Sequence, residues 1–192
     1  MKRVLLLALA FMSFTPMMMA GEKNKKATTK TTAKEKPVND KEIEWLSWDE
    51  VQVKMKKEPR KVWVDVYTDW CGWCKRMDAT TFKNPELIKY MNTKFYAVRF
   101  NAEKADSIRF LGKLYTIEPQ TRTNQLAVEL MRGQMSYPTG IFMEEQFINP
   151  QPIPGYHPVP EMEMILKFLG ENVYKNQKFE DYQKTFKASW GS

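Results

Sequence analysis

The sequence predicts an α/β domain in which helices flank a central mixed β-sheet on both sides. Helical and strand patterns alternate after residue 40 in the order β-α-β-α-β-β-α, with additional short pieces, and this order is typical of the class. The apolar, β-branched run Val62–Tyr67 contains one acid and suits a central strand that is buried on both faces. The 192 residues indicate one domain of ordinary size, and a hydrophobic content of 43% is enough to fill its core.

Caps, breakers and periodicity predict the individual elements. Ser47 and Glu50 form a capping box at the start of the first helix, which Pro59 ends. A second helix is predicted at 71–81, and Asn84-Pro85 begins a third, because asparagine caps a helix and proline fits its first position. The remaining predictions are a strand at 95–100, a hairpin around Gly112 at 107–117, a helix at 124–132, paired strands at 139–143 and 147–153, a long helix containing 162–169 and a polar helix at 179–188.

The N-terminal residues differ in composition from the rest of the chain. Residues 1–20 read as a secretory signal peptide, with a basic start at Lys2 and Arg3, an apolar run and a small-residue cleavage site at Ala20-Gly21. An uncleaved membrane anchor is the alternative, although the apolar run is shorter than the roughly 20 residues that a spanning helix needs. Residues 21–40 form a Lys- and Thr-rich linker that is expected to be disordered. A folded domain at 41–175 and a C-terminal helical extension at 176–192 complete the predicted organisation.

The positive charge of the chain is concentrated at its N-terminal end. Lys2 and Arg3 account for 2 of the net charge of +7 and residues 21–40 for 3, which leaves +2 for residues 41–192. Nucleic-acid binding requires a basic face on the folded domain, so it is not expected here. The signal peptide indicates export, with the periplasm as the expected compartment.

The two cysteines of the chain are the informative motif. They stand together in Cys71-Gly72-Trp73-Cys74, where they can form a reversible disulfide across a helix start or react with another molecule. At the start of the predicted helix, unpaired backbone N–H groups and the helix dipole stabilise a thiolate on Cys71. The thiolate is the nucleophile of thiol–disulfide exchange. An inert structural disulfide is the alternative; a zinc site is excluded, because His157 is the only histidine and no second cysteine pair exists.

The segment Trp70–Lys75, following the strand Val62–Tyr67, resembles the active-site signature of thioredoxin-like proteins. Asp65 stands six residues before Cys71 and matches the buried acid of that family. Further matches are the cis-proline loop, Tyr137-Pro138-Thr139, and a glycine ahead of the last long helix, Gly155. The resemblance covers about residues 45–172 and is greatest to the exported bacterial members. It implies a thioredoxin-like fold with a small insertion, at about 104–123, before the cis-Pro loop.

The resemblance also implies a role for each matching residue. Cys71 is the attacking cysteine, Cys74 is the more deeply buried resolving cysteine, and Asp65 accepts the Cys74 proton at a raised pKa. The peptide bond before Pro138 is expected to be cis. The substrate contacts are expected at Trp70, Gly72, Trp73, Tyr137, Pro138 and Thr139. Two departures from the family pattern concern partner choice and redox potential: Trp73 replaces a proline, and Tyr137 replaces a small aliphatic residue.

These observations lead to three functional hypotheses. The first is an exported thiol–disulfide oxidoreductase that reduces or isomerises protein disulfides, the second a disulfide-introducing oxidase, and the third a binding module whose cysteines only lock a surface. The expected partners are disulfide-bearing exported proteins, and the resemblance implies an integral membrane thiol-electron donor. We expect no metal and no cofactor, and a monomeric state.

Overall fold

The structure of the protein is a computed structural model, and it describes residues 39–104 and 107–191. The predicted signal peptide at 1–20 and nearly all of the predicted linker at 21–40 lie outside these residues. The strands are β1 Trp45–Leu46, β2 Lys61–Tyr67, β3 Phe95–Asn101, β4 Ser107–Phe110, β5 Lys113–Glu118, β6 Thr123–Asn124, β7 Thr139–Met143 and β8 Gln151–Pro154. The helices are α1 Trp48–Lys57, α2 Gly72–Ala79, α3 Pro85–Lys94, α4 Gln125–Leu130, α5 Val159–Gly170 and α6 Phe179–Thr185.

A mixed five-stranded sheet forms the centre of the fold, with the strand order β1-β3-β2-β7-β8. β2 pairs in parallel with β3 and antiparallel with β7, while β8 pairs antiparallel with β7 at one edge. All residues of β2 except its last, Tyr67, are buried. This arrangement confirms the predicted fold class, including the central position of the strand with the buried acid.

Helices cover both faces of the sheet, because successive side chains of each strand point to opposite faces. Val62, Val64 and Val66 of β2 belong to the hydrophobic core that includes α1 and α4. Trp63, between them, belongs to the core on the other face, which includes residues of α2, α3 and α5. The two cores hold β2 from both sides and therefore fix the position of the loop that follows it.

The predicted hairpin at 107–117 is confirmed, and it forms a small sheet of its own. β4 pairs antiparallel with β5, and β5 pairs antiparallel with β6. This sheet occupies the region in which the sequence predicts an insertion. It returns to the main domain at β6, where the N–H of Asn124 donates to the carbonyl oxygen of Ala102, 2.7 Å away.

The predicted strand at 147–153 begins later than expected, at Gln151. Gln146, Phe147 and Asn149 have φ values of 62°, 61° and 53°, which lie in the left-handed region and are incompatible with a strand. Phe147 nevertheless has a buried side chain that packs in the core with α1 and α4. The side chain of Phe147 is thus buried although its backbone lies in a turn. This burial made the sequence pattern at 147–150 resemble that of a strand.

The C-terminal residues fold back on the helices that precede them. Glu163 of α5 is fully buried, and its carboxylate accepts hydrogen bonds from the backbone N–H groups of Ser189 and Trp190, each 2.8 Å away. Lys167 donates to the same carboxylate at 2.6 Å. Asn84, the cap of α3, donates to the carbonyl oxygen of Gly191 at 2.6 Å.

Within residues 39–104 and 107–191, no helix has both the length and the apolar character needed to traverse a bilayer.

Candidate active site

Cys71 and Cys74 are joined in a disulfide at the start of α2, with their Cα atoms 5.3 Å apart. Cys71 has extended backbone angles and is the N-cap of the helix, so its Sγ takes the place of a capping oxygen. The backbone N–H of Cys74 donates to Cys71 Sγ at a distance of 3.0 Å. The first turn of the helix therefore directs an amide dipole at the sulfur of Cys71 and not at that of Cys74.

Exposure does not distinguish the two cysteines. The sequence predicts that Cys74 is the more deeply buried, but the exposed fractions are 4% for Cys71 and 3% for Cys74. Cys71 lies in a turn, in which its backbone N–H donates to the carbonyl oxygen of Thr68 at 3.2 Å. The two cysteines differ in their position on α2, because only Cys71 is the N-cap of the helix.

Asp65 is a buried acid in the middle of β2, with only 3% of its surface exposed. Its neighbours in register are Arg99 on β3 and Gly140 on β7. Burial raises the pKa of the Asp65 carboxyl to about 7, and this rise includes the opposing effect of the positive charge of Arg99. The carboxyl group therefore exchanges a proton near neutral pH.

Arg99 is shared between Asp65 and a second carboxylate. Its Nε lies 3.3 Å from Oδ2 of Asp65, while its Nη2 donates to Oδ2 of Asp78 at 2.6 Å. Asp78 belongs to α2, the helix that begins at the disulfide. The positive charge of Arg99 lowers the pKa of Asp65, whereas the negative charge of Asp78 adds to the rise that burial causes.

The predicted cis peptide bond is present between Tyr137 and Pro138. Thr139 follows as the first residue of β7 and is in register with Val66 of β2. The carbonyl oxygen of Pro138 accepts a hydrogen bond from the N–H of Gly155 at 2.8 Å. The loop is thus fixed to the end of the strand that carries Asp65 and to the loop before α5.

Two aromatic pairs bring the disulfide segment and these loops together. Trp70 and Tyr137 meet edge to face, with ring centroids 5.8 Å apart, and Trp73 and Tyr156 meet with centroids 5.3 Å apart. The indole N–H of Trp70 is fixed by the carboxylate of Glu103, whose oxygens lie 2.9 and 3.1 Å away. Trp70 and Trp73 remain 67% and 56% exposed. They form an exposed apolar rim on either side of Cys71 in the sequence.

Three residues of this site were not predicted from the sequence: Arg99, Glu103 and Tyr156. Arg99 had a signal, because it is a lone charge in the apolar strand Phe95–Phe100 and a buried charge needs a partner. The contacts of Glu103 and Tyr156 join distant segments, which the sequence pattern does not report.

The fold and the site together define a thioredoxin-fold protein with a redox-capable cysteine pair. Residues 48–170 match the family of thioredoxin-like domains, and the chain belongs to this family. The match contains the disulfide, Asp65 and the cis-proline loop. Residues 171–191 lie beyond it.

Individual relatives are distant. A thioredoxin-fold protein from Helicobacter pylori is 19% identical, with a TM-score of 0.48, over 65% of this chain and 78% of that protein. A putative disulphide-isomerase from Bacteroides thetaiotaomicron is 22% identical, with a TM-score of 0.48, over 73% of this chain and 99% of that one. Mouse spermatogenesis-associated protein 20 is 28% identical over 67 residues, which are 34% of this chain but only 8% of that protein.

We expect Asp65→Asn to change the pH dependence of stability. The pKa of Asp65 is raised in the folded protein from 3.8 to about 7, so the folded state keeps a proton that the unfolded chain releases in this range. Ionisation of Asp65 should therefore lower the free energy of unfolding of the oxidised protein by roughly 2–4 kcal/mol as the pH rises through this window. Urea titrations across the window should show this loss as a pH-dependent difference between the wild type and Asp65→Asn.

The exposed Asp40 provides the matched control. Asp40→Asn removes the same group from a solvated position and should keep the pH dependence of the wild type. Identical pH dependence in the wild type and Asp65→Asn would contradict the assignment of a buried proton to Asp65.

Proposed function

We propose that the protein is an exported thiol–disulfide oxidoreductase that reduces or isomerises disulfides in other exported proteins. The observation that carries this proposal is the disulfide at the N-cap of α2, with the N–H of Cys74 directed at Cys71 Sγ. A helix N-terminus favours a thiolate over a thiol, and the thiolate is the attacking species in disulfide exchange. After reduction of the disulfide, the same hydrogen bond favours negative charge on Cys71.

The reaction follows from the two sulfurs. The Cys71 thiolate attacks one sulfur of a substrate disulfide, forms a mixed disulfide and releases the other substrate sulfur as a thiolate, which takes up a proton. The Cys74 thiolate then attacks Cys71 Sγ, and the second substrate thiol leaves. Two electrons have passed from the dithiol to the substrate, and the enzyme ends in the disulfide form that the structure describes. In isomerisation, a substrate thiol resolves the mixed disulfide instead.

Asp65 serves as the proton acceptor for Cys74 in this scheme. The second step needs a Cys74 thiolate, and a general base is most effective when its pKa lies near the working pH. Burial gives the Asp65 carboxyl a pKa of about 7, which meets this requirement. An ordinary exposed aspartate would be too weak a base for a thiol.

Substrates bind to the rim and to the cis-proline loop. Trp70 and Trp73 offer exposed apolar area next to the disulfide, and large exposed apolar groups mark binding surfaces. A Cβ added at Gly72 would meet nothing within 4 Å, so this position leaves open space beside the sulfurs. The loop Tyr137-Pro138-Thr139 supplies backbone groups beside them for an extended substrate segment.

Export and the electron donor belong to the same proposal. The basic start and the apolar run of residues 1–20 support export, with the periplasm as the compartment. Such compartments are oxidising, so a reductase there requires a supply of electrons. We propose an integral membrane protein with a dithiol as the donor; it restores Cys71 and Cys74 by the reverse exchange.

Substitution of each cysteine tests the order of attack. The wild type, supplied with dithiothreitol, should accelerate insulin reduction, and Cys71→Ser and Cys74→Ser should each lose this activity. When each variant is pre-reduced, freed of dithiothreitol and mixed with insulin, Cys74→Ser should accumulate a covalent complex on non-reducing gels, because no second thiol resolves the mixed disulfide, and Cys71→Ser should not. Equal trapping by the two variants would overturn the choice of nucleophile, and an inactive wild type would favour a binding module.

The reduction potential separates a reductase from an oxidase. We expect equilibration with glutathione buffers to give a potential below about −200 mV, in the range of thioredoxins and glutaredoxins. A value near about −120 mV, typical of strongly oxidising enzymes, would contradict the reductase proposal and support disulfide introduction. The ratio of oxidised to reduced protein can be read by mass spectrometry after acid quenching and alkylation.

A further inference from the structure

A cavity away from the disulfide lies between α5, α6 and the sheet edge formed by β7 and β8. Its volume is about 550 Å³, within the range of small-molecule sites. Its walls are mainly apolar and aromatic, with Phe142 from β7, Ile165 and Phe168 from α5, and Phe179 from α6. We call it the C-terminal cavity. None of the residues placed at the disulfide or its rim lines it.

The segment after the family match builds one wall of the C-terminal cavity. Tyr174 packs against Phe142 with ring centroids 5.6 Å apart, and Phe179 packs against Phe168 with centroids 5.1 Å apart. Both Tyr174 and Phe179 lie beyond residue 170, where the match to thioredoxin-like domains ends. One wall of the cavity is therefore built from residues beyond the matched domain, while the rest of its lining lies within it.

The polar end of the cavity contains a buried histidine without a hydrogen bond. His157 is 9% exposed, and neither ring nitrogen has a hydrogen-bond partner among the described residues. Its Nδ1 lies 3.2 Å from Oε1 of Glu161, close enough for electrostatic attraction but outside hydrogen-bond geometry. Because both ring nitrogens are closed to solvent, the imidazole forms part of the cavity wall and Glu161 is the accessible polar group beside it.

The charges at the cavity wall are negative. Glu144 is already satisfied, because Asn149 donates to it at 2.8 Å and Nζ of Lys175 lies 3.9 Å away. Glu161 is about half exposed, and no lysine or arginine of residues 39–104 or 107–191 lies within ion-pair distance of it. The apolar interior thus ends at one carboxylate that has only the imidazole of His157 beside it.

We propose that the C-terminal cavity binds a small apolar amine. Its hydrocarbon body would lie among the aromatic side chains of α5 and α6, and its ammonium group would donate to the Glu161 carboxylate. An ammonium carries three donors, no acceptor and a positive charge, which suits a carboxylate without a lysine or arginine partner. The half-exposed position of Glu161 lets the charge remain partly solvated.

A peptide strand added to the sheet edge fits the cavity less well. β8 is the edge strand, but Pro152 and Pro154 lack backbone N–H groups, so two donors of a sheet ladder are missing there. A carboxylate ligand is disfavoured by repulsion from Glu161. The chemistry of the lining therefore selects a compact ligand with a donor group.

Calorimetric titration of the full-length oxidised protein with three matched probes tests the proposal. The probes are phenylhexylamine, phenylhexanol and phenylhexanoate, which share a tail and differ in the end group. We expect the amine to bind about tenfold more tightly than the carboxylate, as a charge-assisted hydrogen bond would produce. No binding of the amine at millimolar concentration, or equal or tighter binding of the carboxylate, would overturn the proposal.

Three variants locate the binding in the cavity. Glu161→Gln should weaken amine binding about tenfold and leave the alcohol unchanged, whereas Glu180→Gln, which removes an exposed acid of α6, should change neither. Ile165→Trp fills the cavity and should abolish binding of all probes, with circular dichroism as the check on folding. Amine binding unaffected by Glu161→Gln would contradict the site, whether or not Ile165→Trp folds.

This proposal is independent of the dithiol chemistry. Amine binding should be the same in Cys71→Ser and Cys74→Ser as in the wild type. An inactive dithiol with intact amine binding would contradict only the proposed oxidoreductase function, and the reverse pattern would contradict only the cavity proposal.

Discussion

The site depends on one hydrogen bond, from the backbone N–H of Cys74 to the sulfur of Cys71, across 3.0 Å. This bond requires that α2 begin at Gly72, so that Cys71 occupies the N-cap with extended backbone angles. It also requires a strand that ends shortly before it, and β2 ends at Tyr67 with both of its faces packed in apolar cores. The central sheet thus serves to place one helix start, and in the proposed mechanism this helix start determines which sulfur of the reduced protein carries charge.

The buried acid follows from the same strand. Burial in an apolar interior favours the neutral form of the Asp65 carboxyl and raises its pKa. Arg99 opposes this rise, but Arg99 also binds Asp78 on α2, the helix of the disulfide, and the negative charge of Asp78 raises the pKa of Asp65 further. The acid, its shared arginine and the disulfide helix therefore form one connected unit, in which a change at the helix alters the environment of the acid.

Local signals in the sequence predicted much of this arrangement. The capping box of α1, the asparagine and proline that begin α3, the apolar run of β2 and the cysteine spacing all act within a few residues, and each predicted element is present. The turn at Phe147, the bond from Trp70 to Glu103 and the wall formed by Tyr174 depend on packing between distant segments. Hydrophobic periodicity reports that a side chain is buried but not which segment buries it.

The most direct measurement of the central claim is the alkylation of the reduced protein by limiting iodoacetamide as a function of pH, with the modified residue located by mass spectrometry. Free cysteine ionises near a pKa of about 8.5. We predict that Cys71 is modified first and at a pH well below this value, while Cys74 remains free. Modification of Cys74 first, or of both cysteines together near the pH of free cysteine, would contradict the account.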